Sequence, residues 1–284
     1  MPGSYWEQVA ASGLAVPKDR PLDDLTAELT RMLGDTDPEA RDGTAYPTLV
    51  TWVSRGVYDD LLSGLGDGMA AGLGVGLGER DTDSVFRRSF SALVLGECIA
   101  RDNQRPLVPG IKVLEWGDRL ATWLLRERDL RGFVPDKGWA HAVAHGADAL
   151  GTLAQSPHVA ANELTVVLDV LADRLLLPVD QLFSNGEPDR LAAATMSVLR
   201  RNIVSLRVIE PWIARLAAAA GARASYDDRD PHLKGGNAEA YLRALYLQLA
   251  LGPQPPEVRS DLLLVLVDAL RATNPQYLRA AQPR

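Results

Sequence analysis

Apolar residues recur every three or four positions along most of the chain, which is the spacing of one buried face on an α-helix. The helix predicted over 21–33 shows this clearly, with Leu22, Leu25 and Leu29 on one stripe and Gly34 at its end. No segment has the strict apolar and polar alternation that predicts a β-strand. Further helices are predicted over 83–101, 109–128, 138–155, 162–177, 188–202, 211–220, 237–251 and 257–272.

The spacing of these helices predicts how they are arranged. Strong helices begin near residues 109, 161, 206 and 257, about 45–52 residues apart, which is the length of a helix pair with its connections. We expect an all-α fold in which antiparallel helix pairs stack as a HEAT-like α-solenoid, with a compact irregular helical bundle as the alternative. No low-complexity linker divides the chain, so residues 1–284 are predicted to form a single helical-repeat domain.

A glycine-rich stretch over 64–78 resembles a phosphate-binding loop at first sight. Its seven glycines match neither G-x-G-x-x-G nor G-x-x-x-x-G-K-S/T, and no strand precedes them. The stretch is therefore predicted to be a weak, glycine-rich helical segment.

The most informative local pattern lies in the helix predicted over 138–155. Two of the four histidines in the chain, His141 and His145, are four residues apart, and Asp148 follows three residues later. At about 100° per residue, these three side chains share one face of a helix. Trp139 falls on the opposite side, which is the predicted core stripe, and is expected to support the polar face from behind.

Three functional hypotheses fit His141, His145 and Asp148. Two imidazoles and a carboxylate are candidate ligands of a divalent metal such as Zn²⁺ or Fe²⁺, and no other cofactor is indicated. As candidate catalytic residues, His145 and Asp148 would form an oriented general base. In the third hypothesis the cluster hydrogen-bonds a polar ligand in a groove. The structural alternative is that the histidines cap or bridge neighbouring helices. A His-Glu-x-x-His protease motif is excluded because Ala142 replaces its glutamate.

Charged residues just before this helix are candidate ligand-binding residues. Asp129 and Arg131 lie in a predicted loop that is dense in both charge signs, and Lys137 precedes Trp139 at the helix start. A lysine beside a helix N-terminus favours an anionic group. A solvated charged loop is the alternative interpretation.

Three polar positions in other helices complete the candidates. Arg87 and Arg190 are expected to face the same concave surface as the histidines, although plain surface positions would also explain them. Glu97 falls on an apolar stripe and is expected to pair with Arg101, one turn further along.

Composition narrows the classes of partner. The chain has 30 basic and 37 acidic residues and a net charge of −7, without the basic domain or stripe that neutralises phosphates. Neither nucleic acid nor an anionic membrane is therefore expected as a partner. No signal peptide and no apolar run of about 18 residues is found. A single cysteine, Cys98, excludes an internal disulfide, and we expect a cytoplasmic protein.

Several segments stand out together, and the most specific combines Lys137–His141 with Ala144–Asp148. The others are Pro38–Asp42 with Ala45 and Tyr46, Val85–Leu93, Asp129–Gly132 and, more weakly, Leu242–Tyr246. On these segments the chain resembles a bacterial family of helical proteins known only as a domain of unknown function. The resemblance spans about residues 24–277 and implies a helical, HEAT-like fold without an established reaction.

These patterns support two functional expectations. In the first, a concave groove binds a small polar or anionic molecule through His141, His145 and Asp148, with acid–base or metal-assisted chemistry. In the second, the chain is a non-enzymatic helical-repeat scaffold that binds a protein partner. The first predicts that His145→Ala costs little stability, whereas Trp139→Ala costs about 3–5 kcal/mol as a core truncation.

Overall fold

The computed structural model describes residues 4–221 and 230–278, and this part of the chain is nearly all helical. The all-α prediction is confirmed. The described α-helices are α1 (Tyr5–Ala11), α2 (Leu22–Met32), α3 (Tyr46–Ser54), α4 (Leu62–Gly72), α5 (Ser84–Gln104), α6 (Gly110–Arg126), α7 (Ala142–Leu153), α8 (Ala161–Leu176), α9 (Glu187–Leu199), α10 (Leu206–Ala220), α11 (Gly236–Leu251), α12 (Arg259–Thr273) and α13 (Pro275–Leu278).

Shorter elements connect these helices. A π-helix (Glu39–Ala45) leads directly into α3, and 3₁₀ turns occupy Asp59–Leu61 and Pro231–Lys234. Two short antiparallel strands, β1 (Phe133–Val134) and β2 (Gly138–Trp139), form a hairpin before α7. The sequence predicted no strands, so the hairpin is a correction. No helix within 4–221 or 230–278 has the combined length and apolar character needed to cross a membrane.

The chain divides into two compact units, Met1–His158 and Val159–Arg284. The single domain expected for residues 1–284 stays a prediction. In the first unit, α5 is the central helix and packs against α3, α4 and α7. Its side chains are buried on nearly every side, including Phe86, Phe90 and Ile99. A helix that is apolar on several faces is expected to lie inside a unit.

The glycines of α4 allow it to approach its neighbours closely. A methyl group on Gly66 would lie 2.2 Å from a ring carbon of Trp116, and one on Gly72 would lie 2.2 Å from Oγ of Ser91. Only a residue without Cβ fits at such distances. The glycine-rich stretch predicted to be helical over 64–78 is helical only to Gly72, and residues 73–78 form turns. Its glycines serve packing at Gly66 and Gly72.

The second unit consists of packed helix pairs. Helix α9 packs against α11, and α10 packs against both α11 and α12. Buried hydrogen bonds join these helices: Thr195 and Tyr241 share a hydroxyl bond of 2.6 Å, and Nε1 of Trp212 donates to the Leu168 carbonyl at 2.9 Å. Such pairs occur in both a solenoid and an irregular bundle, so the HEAT-like arrangement stays a prediction.

Candidate functional site

Because of the hairpin, α7 begins later in the sequence than predicted. Pro135 and Asp136 form its turn, and both Asp136 and Gly138 adopt positive φ angles of 63° and 76°. His141 is also left-handed, with φ 52°, and the helix begins only at Ala142. Proline, aspartate and glycine in this order favour a turn over a helix. His141 therefore lies at the N-cap of α7 and not within the helix.

The hairpin and α7 nevertheless bring the two predicted histidines together. The ring centroids of His141 and His145 are 5.7 Å apart. The indole of Trp139 stacks on His141 at 4.6 Å with an interplanar angle of 22°, and Phe133 contacts Trp139 edge-on at 5.2 Å. We call these four side chains the histidine site.

The prediction that Trp139 belongs to the core is wrong. Its side chain is 41% exposed and that of Phe133 is 54% exposed, since both project from the two-residue strands of the hairpin. His145 is instead buried, with 8% exposure, because α7 is enclosed on nearly all sides. The exposed aromatic pair thus lies outside, and the second imidazole lies beneath it.

A buried hydrogen bond fixes the proton of His145. Oγ of Ser89, on α5, lies 2.6 Å from Nδ1 of His145 and also donates a very short hydrogen bond to the Ala140 carbonyl. A hydroxyl has one proton to donate, so Nδ1 of His145 carries its own proton and donates it to Ser89. In the neutral ring, Nε2 is then the nitrogen with the lone pair.

Aromatic rings support His145 on the side of α5. Phe90 contacts the imidazole edge-on at 5.2 Å, and Tyr46 of α3 contacts Phe90 edge-on at 6.0 Å. Edge-on contacts of this kind fix ring orientation as well as burying apolar area. Helices α3, α5 and α7 therefore hold the orientation of one imidazole together.

The third predicted member, Asp148, is half-buried on α7, almost one turn beyond His145. Within the part of the chain that the structure describes, no three or more histidine, cysteine, aspartate or glutamate side chains are grouped so as to hold a metal ion. His141, His145 and Asp148 do not form such a group. The metal hypothesis therefore has no support from this geometry.

The predicted anion-binding residues carry ion pairs within the chain. Nζ of Lys137 lies 2.6 Å from a carboxylate oxygen of Asp83. Arg131 donates to both oxygens of the buried Asp129, at 2.8 and 2.6 Å, and to the Thr82 carbonyl. The hydrogen bonds to Asp129 raise the pKa of Arg131. These cations therefore contribute little unbalanced positive charge near the histidine site.

Arg41 is a site residue that the sequence did not single out. Its guanidinium is fully buried in the π-helix, lies 4.1 Å from the ring centre of Phe86 and donates to the Lys137 carbonyl of the hairpin at 2.6 Å. It also bonds Asp42 at 2.7 Å. Burial lowers the pKa of Arg41. The only sequence signal was the resemblance of 38–42, which carried no role for the arginine.

The buried ion pair of Arg88 and Glu127 was also not predicted, because the sequence left Arg88 as a groove or surface position. Arg88 is fully buried on α5 and donates to both carboxylate oxygens of Glu127, at 2.6 and 2.9 Å. Its remaining nitrogen donates to the carbonyls of Val75 and Gly76 and to Ser84. This pair joins α5 to the segments that follow α4 and α6.

One predicted residue of the first unit does not join the histidines. Arg87 is two residues from Ser89, hence about 200° around α5, and it contacts Gly34 and Gly72 at the ends of α2 and α4. Arg190 is exposed in the first turn of α9 and belongs to the second unit. Its expected position on a shared concave surface stays a prediction.

Comparison with known proteins defines the family and no more. No match was found among curated proteins or among solved structures. One family model, described as "Protein of unknown function (DUF2785)", matches residues 73–247, which is more than half of the chain and includes the whole histidine site. The resemblance to a family of unknown function is confirmed, and the chain belongs to the DUF2785 family.

Proposed function

We propose that this protein binds a small polar molecule at the histidine site. The observation that supports the proposal is the pair of imidazoles, 5.7 Å apart, beside an exposed tryptophan that stacks on one of them. Exposed aromatic faces next to convergent polar groups are typical of ligand sites. Trp139 and Phe133 would contact a flat or apolar part of the ligand, and the imidazoles would hydrogen-bond its polar part.

The charges around the site favour a neutral or weakly charged ligand over a strongly anionic one. Lys137 and Arg131 are each bonded to a carboxylate, so an anion would have to compete with Asp83 or Asp129. An ion pair of this kind is lost only if the new partner binds better. The anionic ligand considered from the sequence is therefore the less favoured form of the proposal.

Acid–base chemistry is an extension of this proposal. The hydrogen bond with Ser89 leaves the lone pair on Nε2 of neutral His145, which is the state needed for a general base. Asp148, almost one turn along α7, would orient an imidazole, as proposed from the sequence. A catalysed reaction would show a rate that rises with deprotonation of a histidine.

A thermal-shift screen of the full chain against a metabolite library tests the proposal, with His141→Ala as the probe variant. His232→Ala is the matched control, because His232 is exposed and lies in the second unit. A ligand of the histidine site should raise Tm of the wild type and of the control, and should fail to stabilise His141→Ala. Hits that stabilise all three proteins equally would contradict the proposal.

A protein partner is the second candidate function, and the exposure of Phe133 and Trp139 favours it. Exposed aromatic residues are frequent anchors of protein interfaces. Phe133→Ala distinguishes the two functions. Among the described residues, the ring of Phe133 contacts the indole of Trp139 and neither imidazole. Partner binding should be lost in Phe133→Ala and retained in His141→Ala, whereas a small ligand should depend most on His141.

We further propose a HEAT-like stacking of the helix pairs within the second unit and a location in the cytoplasm. The packing of α10 against both α11 and α12 supports the first. A single buried cysteine, Cys98, without any disulfide supports the second, because reducing compartments keep thiols free.

A further inference from the structure

A groove of about 450 Å³ lies between α2 and α4, away from the histidine site. Its floor includes Leu65 and Met69, and hydroxyl groups reach it from Thr26, Thr30 and Tyr58. The volume is that of a small-molecule site, and the mixture of an apolar floor with a few polar groups is typical of one. We call it the α2/α4 groove.

Two glycines keep one wall of the α2/α4 groove flat. Gly64 and Gly68 line it one turn apart on α4, and a methyl group added to either would meet no atom within 4 Å. Unlike Gly66 and Gly72, they are therefore not needed for packing. Glycine lowers helix stability relative to alanine, so Gly64 and Gly68 do not stabilise the fold. Without Cβ atoms, however, they allow a bound molecule to lie close to the backbone of α4.

Arg87 lies next to Gly72, one turn of α4 beyond the groove-lining Gly68. A methyl group on Gly34 would lie 3.1 Å from Cβ of Arg87, and one on Gly72 would lie 3.1 Å from its Nε. Gly72 follows the groove-lining Gly68 by four residues, one further turn along the same face of α4, and Gly34 follows the end of α2. Nε of Arg87 thus lies one helical turn beyond the residues that line the groove on α4.

The charge of Arg87 has no counterpart among the described residues. It is half-buried, and within residues 4–221 and 230–278 it forms no hydrogen bond or ion pair. Burial lowers the pKa of Arg87, and no neighbouring carboxylate opposes this effect. A partly desolvated cation without an acceptor is unfavourable, and an anionic group from outside the chain would remove that penalty.

The opposite end of the groove is acidic. Asp23 in the first turn of α2 and Asp60 just before α4 both line it, are exposed, and have no cation of the described chain within ion-pair distance. From Asp23 to Thr30 the helix rises about 10 Å. The groove therefore has negative charge at one end, positive charge at the other, and an apolar floor between them.

We propose that the α2/α4 groove binds an elongated zwitterionic small molecule, with its carboxylate at Arg87 and its ammonium group near Asp23 and Asp60. This site is independent of the histidine site. The competing explanation is that these charges only complement helix dipoles, with acids at the N-termini of α2 and α4 and Arg87 at their C-termini. That explanation predicts a purely structural arginine.

Calorimetric titration of the full chain with three probes of similar length tests the proposal. The probes are ε-aminocaproate with both charges, caproate with only the carboxylate, and hexylamine with only the amine. We expect ε-aminocaproate to bind about tenfold more tightly than either single-charge probe, since each charge-assisted contact contributes on this scale. Equal affinity for all three probes, or no binding of ε-aminocaproate, would overturn the proposal.

Variants of Arg87 separate a ligand contact from a helix-dipole role. Arg87→Met should weaken ε-aminocaproate about tenfold, leave hexylamine unchanged, and leave Tm in buffer unchanged or raised. The exposed Arg119 on α6 supplies a control of equal charge, Arg119→Met, which should bind like the wild type. A fall in Tm with unchanged probe affinity would show a structural arginine and overturn the proposal.

Gly68→Leu provides a test that does not depend on Arg87. The added side chain enters open space, so the protein should fold, but the groove should be filled and ε-aminocaproate binding lost. Ala71→Leu, exposed on the same helix and outside the groove, is the control. His141→Ala should bind the probe normally, so failure of the histidine site and failure of this groove are distinguishable. Unchanged probe affinity in Gly68→Leu would place the probe elsewhere and overturn the proposal.

Discussion

Arg87 and Arg88 are neighbours on α5 with opposite surroundings. Arg88 is fully buried and donates from all three of its guanidinium nitrogens, including two bonds to the Glu127 carboxylate. Arg87 is half-buried and has no acceptor among the described residues. A buried arginine with a complete set of partners fixes the positions of those partners. A partly buried arginine without such partners lowers the stability of the fold, because no contact within the described chain replaces the hydration that its charge has lost.

The same difference separates the two proposed sites. Around the histidine site, Lys137 and Arg131 are each paired with a carboxylate, and His145 is bonded to Ser89. At the α2/α4 groove, the half-buried Arg87 and the exposed Asp23 and Asp60 form no ion pair with any described residue. Side chains whose charges and hydrogen bonds are paired within the chain define the shape of a site. Side chains without such partners indicate which groups a ligand supplies.

Glu127→Gln should give the largest effect. It leaves the buried Arg88 without its counter-charge, and removing one partner of a buried ion pair costs about 3–5 kcal/mol. Urea unfolding measures the loss. Glu115→Gln, which removes one partner of the exposed pair with Lys112, is the control and should cost below about 1 kcal/mol. Similar losses of unfolding free energy in both variants would contradict the expected difference between the buried and the exposed ion pair.

Ser89→Ala should cost about 1–3 kcal/mol, because it leaves the Ala140 carbonyl and Nδ1 of His145 without their buried partner. Ser91→Ala is a matched control on the same helix: Ser91 is equally buried, and its hydroxyl has no partner among the described residues. That variant should be neutral or slightly stabilising. Nitrogen NMR should also show a changed His145 tautomer in Ser89→Ala only.

Trp139→Ala should cost about 1 kcal/mol, well below a core truncation, because its ring is substantially exposed. The fully buried Trp116 gives the comparison, and Trp116→Ala should cost about 3–5 kcal/mol. Thermal or urea unfolding of both variants measures the difference. A loss in Trp139→Ala as large as that of Trp116→Ala would mean that the hairpin supports the core.

Glu97→Gln should give the smallest effect, and a pH-dependent one. Burial raises the pKa of Glu97 in the folded protein. The stability from its protonated form is complete below the ordinary glutamate pKa, about 4.3, and is lost as pH rises through the folded value. Glutamine should therefore stabilise the protein at pH 7 by less than about 1 kcal/mol.

The gain from Glu97→Gln should vanish near pH 3, about one unit below the ordinary glutamate pKa, where the wild-type carboxyl is protonated in both states. Unfolding free energies measured at the two pH values check this. The exposed Glu210 supplies a control, Glu210→Gln, which should differ little from the wild type at either pH. A gain from Glu97→Gln that is the same at both pH values would contradict a titration effect.

Helical periodicity predicted most helices within a few residues. The helix expected over 83–101 is observed as Ser84–Gln104, and that over 162–177 as Ala161–Leu176. Two starts differ more from the predicted bounds. The helix expected from 138 begins at Ala142, and the one expected over 211–220 begins at Leu206, the start used in the spacing argument, with Pro211 inside it. Apolar stripes at helical spacing determine which helices form, and local proline rules are weaker than the packing of such a stripe.

The candidate site was only partly predictable. His141 and His145 lie together although His141 is outside the helix, because the left-handed N-cap keeps the rings close. Pro135, Asp136 and Gly138 were signals of a turn that helical periodicity obscured. Ser89 and Arg41 lie 56 and 96 residues from the groups they contact, His145 and the Lys137 carbonyl. Contacts at such separation depend on tertiary packing and have no local pattern.

Glu97 shows the same limit within one helix. The expected pair with Arg101 is wrong, because Arg101 donates instead to both carboxylate oxygens of Asp59, at 2.8 Å each. Spacing by four residues makes a pair possible, but a carboxylate from another element competes for the same guanidinium. Here the competing residue precedes α4 and lies 42 positions away in the sequence.

The small hairpin before α7 has a consequence for the order of folding. Its strands have two residues each, too few for an independent hairpin. Two side chains from distant segments bond it instead: Arg41 donates to the Lys137 carbonyl, and Ser89 donates to the carbonyl of Ala140, the residue after the hairpin. These contacts close long loops, so we expect the histidine site to form late in folding. A molecule that binds this site would bind only chains that have completed folding, and it would stabilise them against unfolding to a degree that rises with its concentration relative to its Kd.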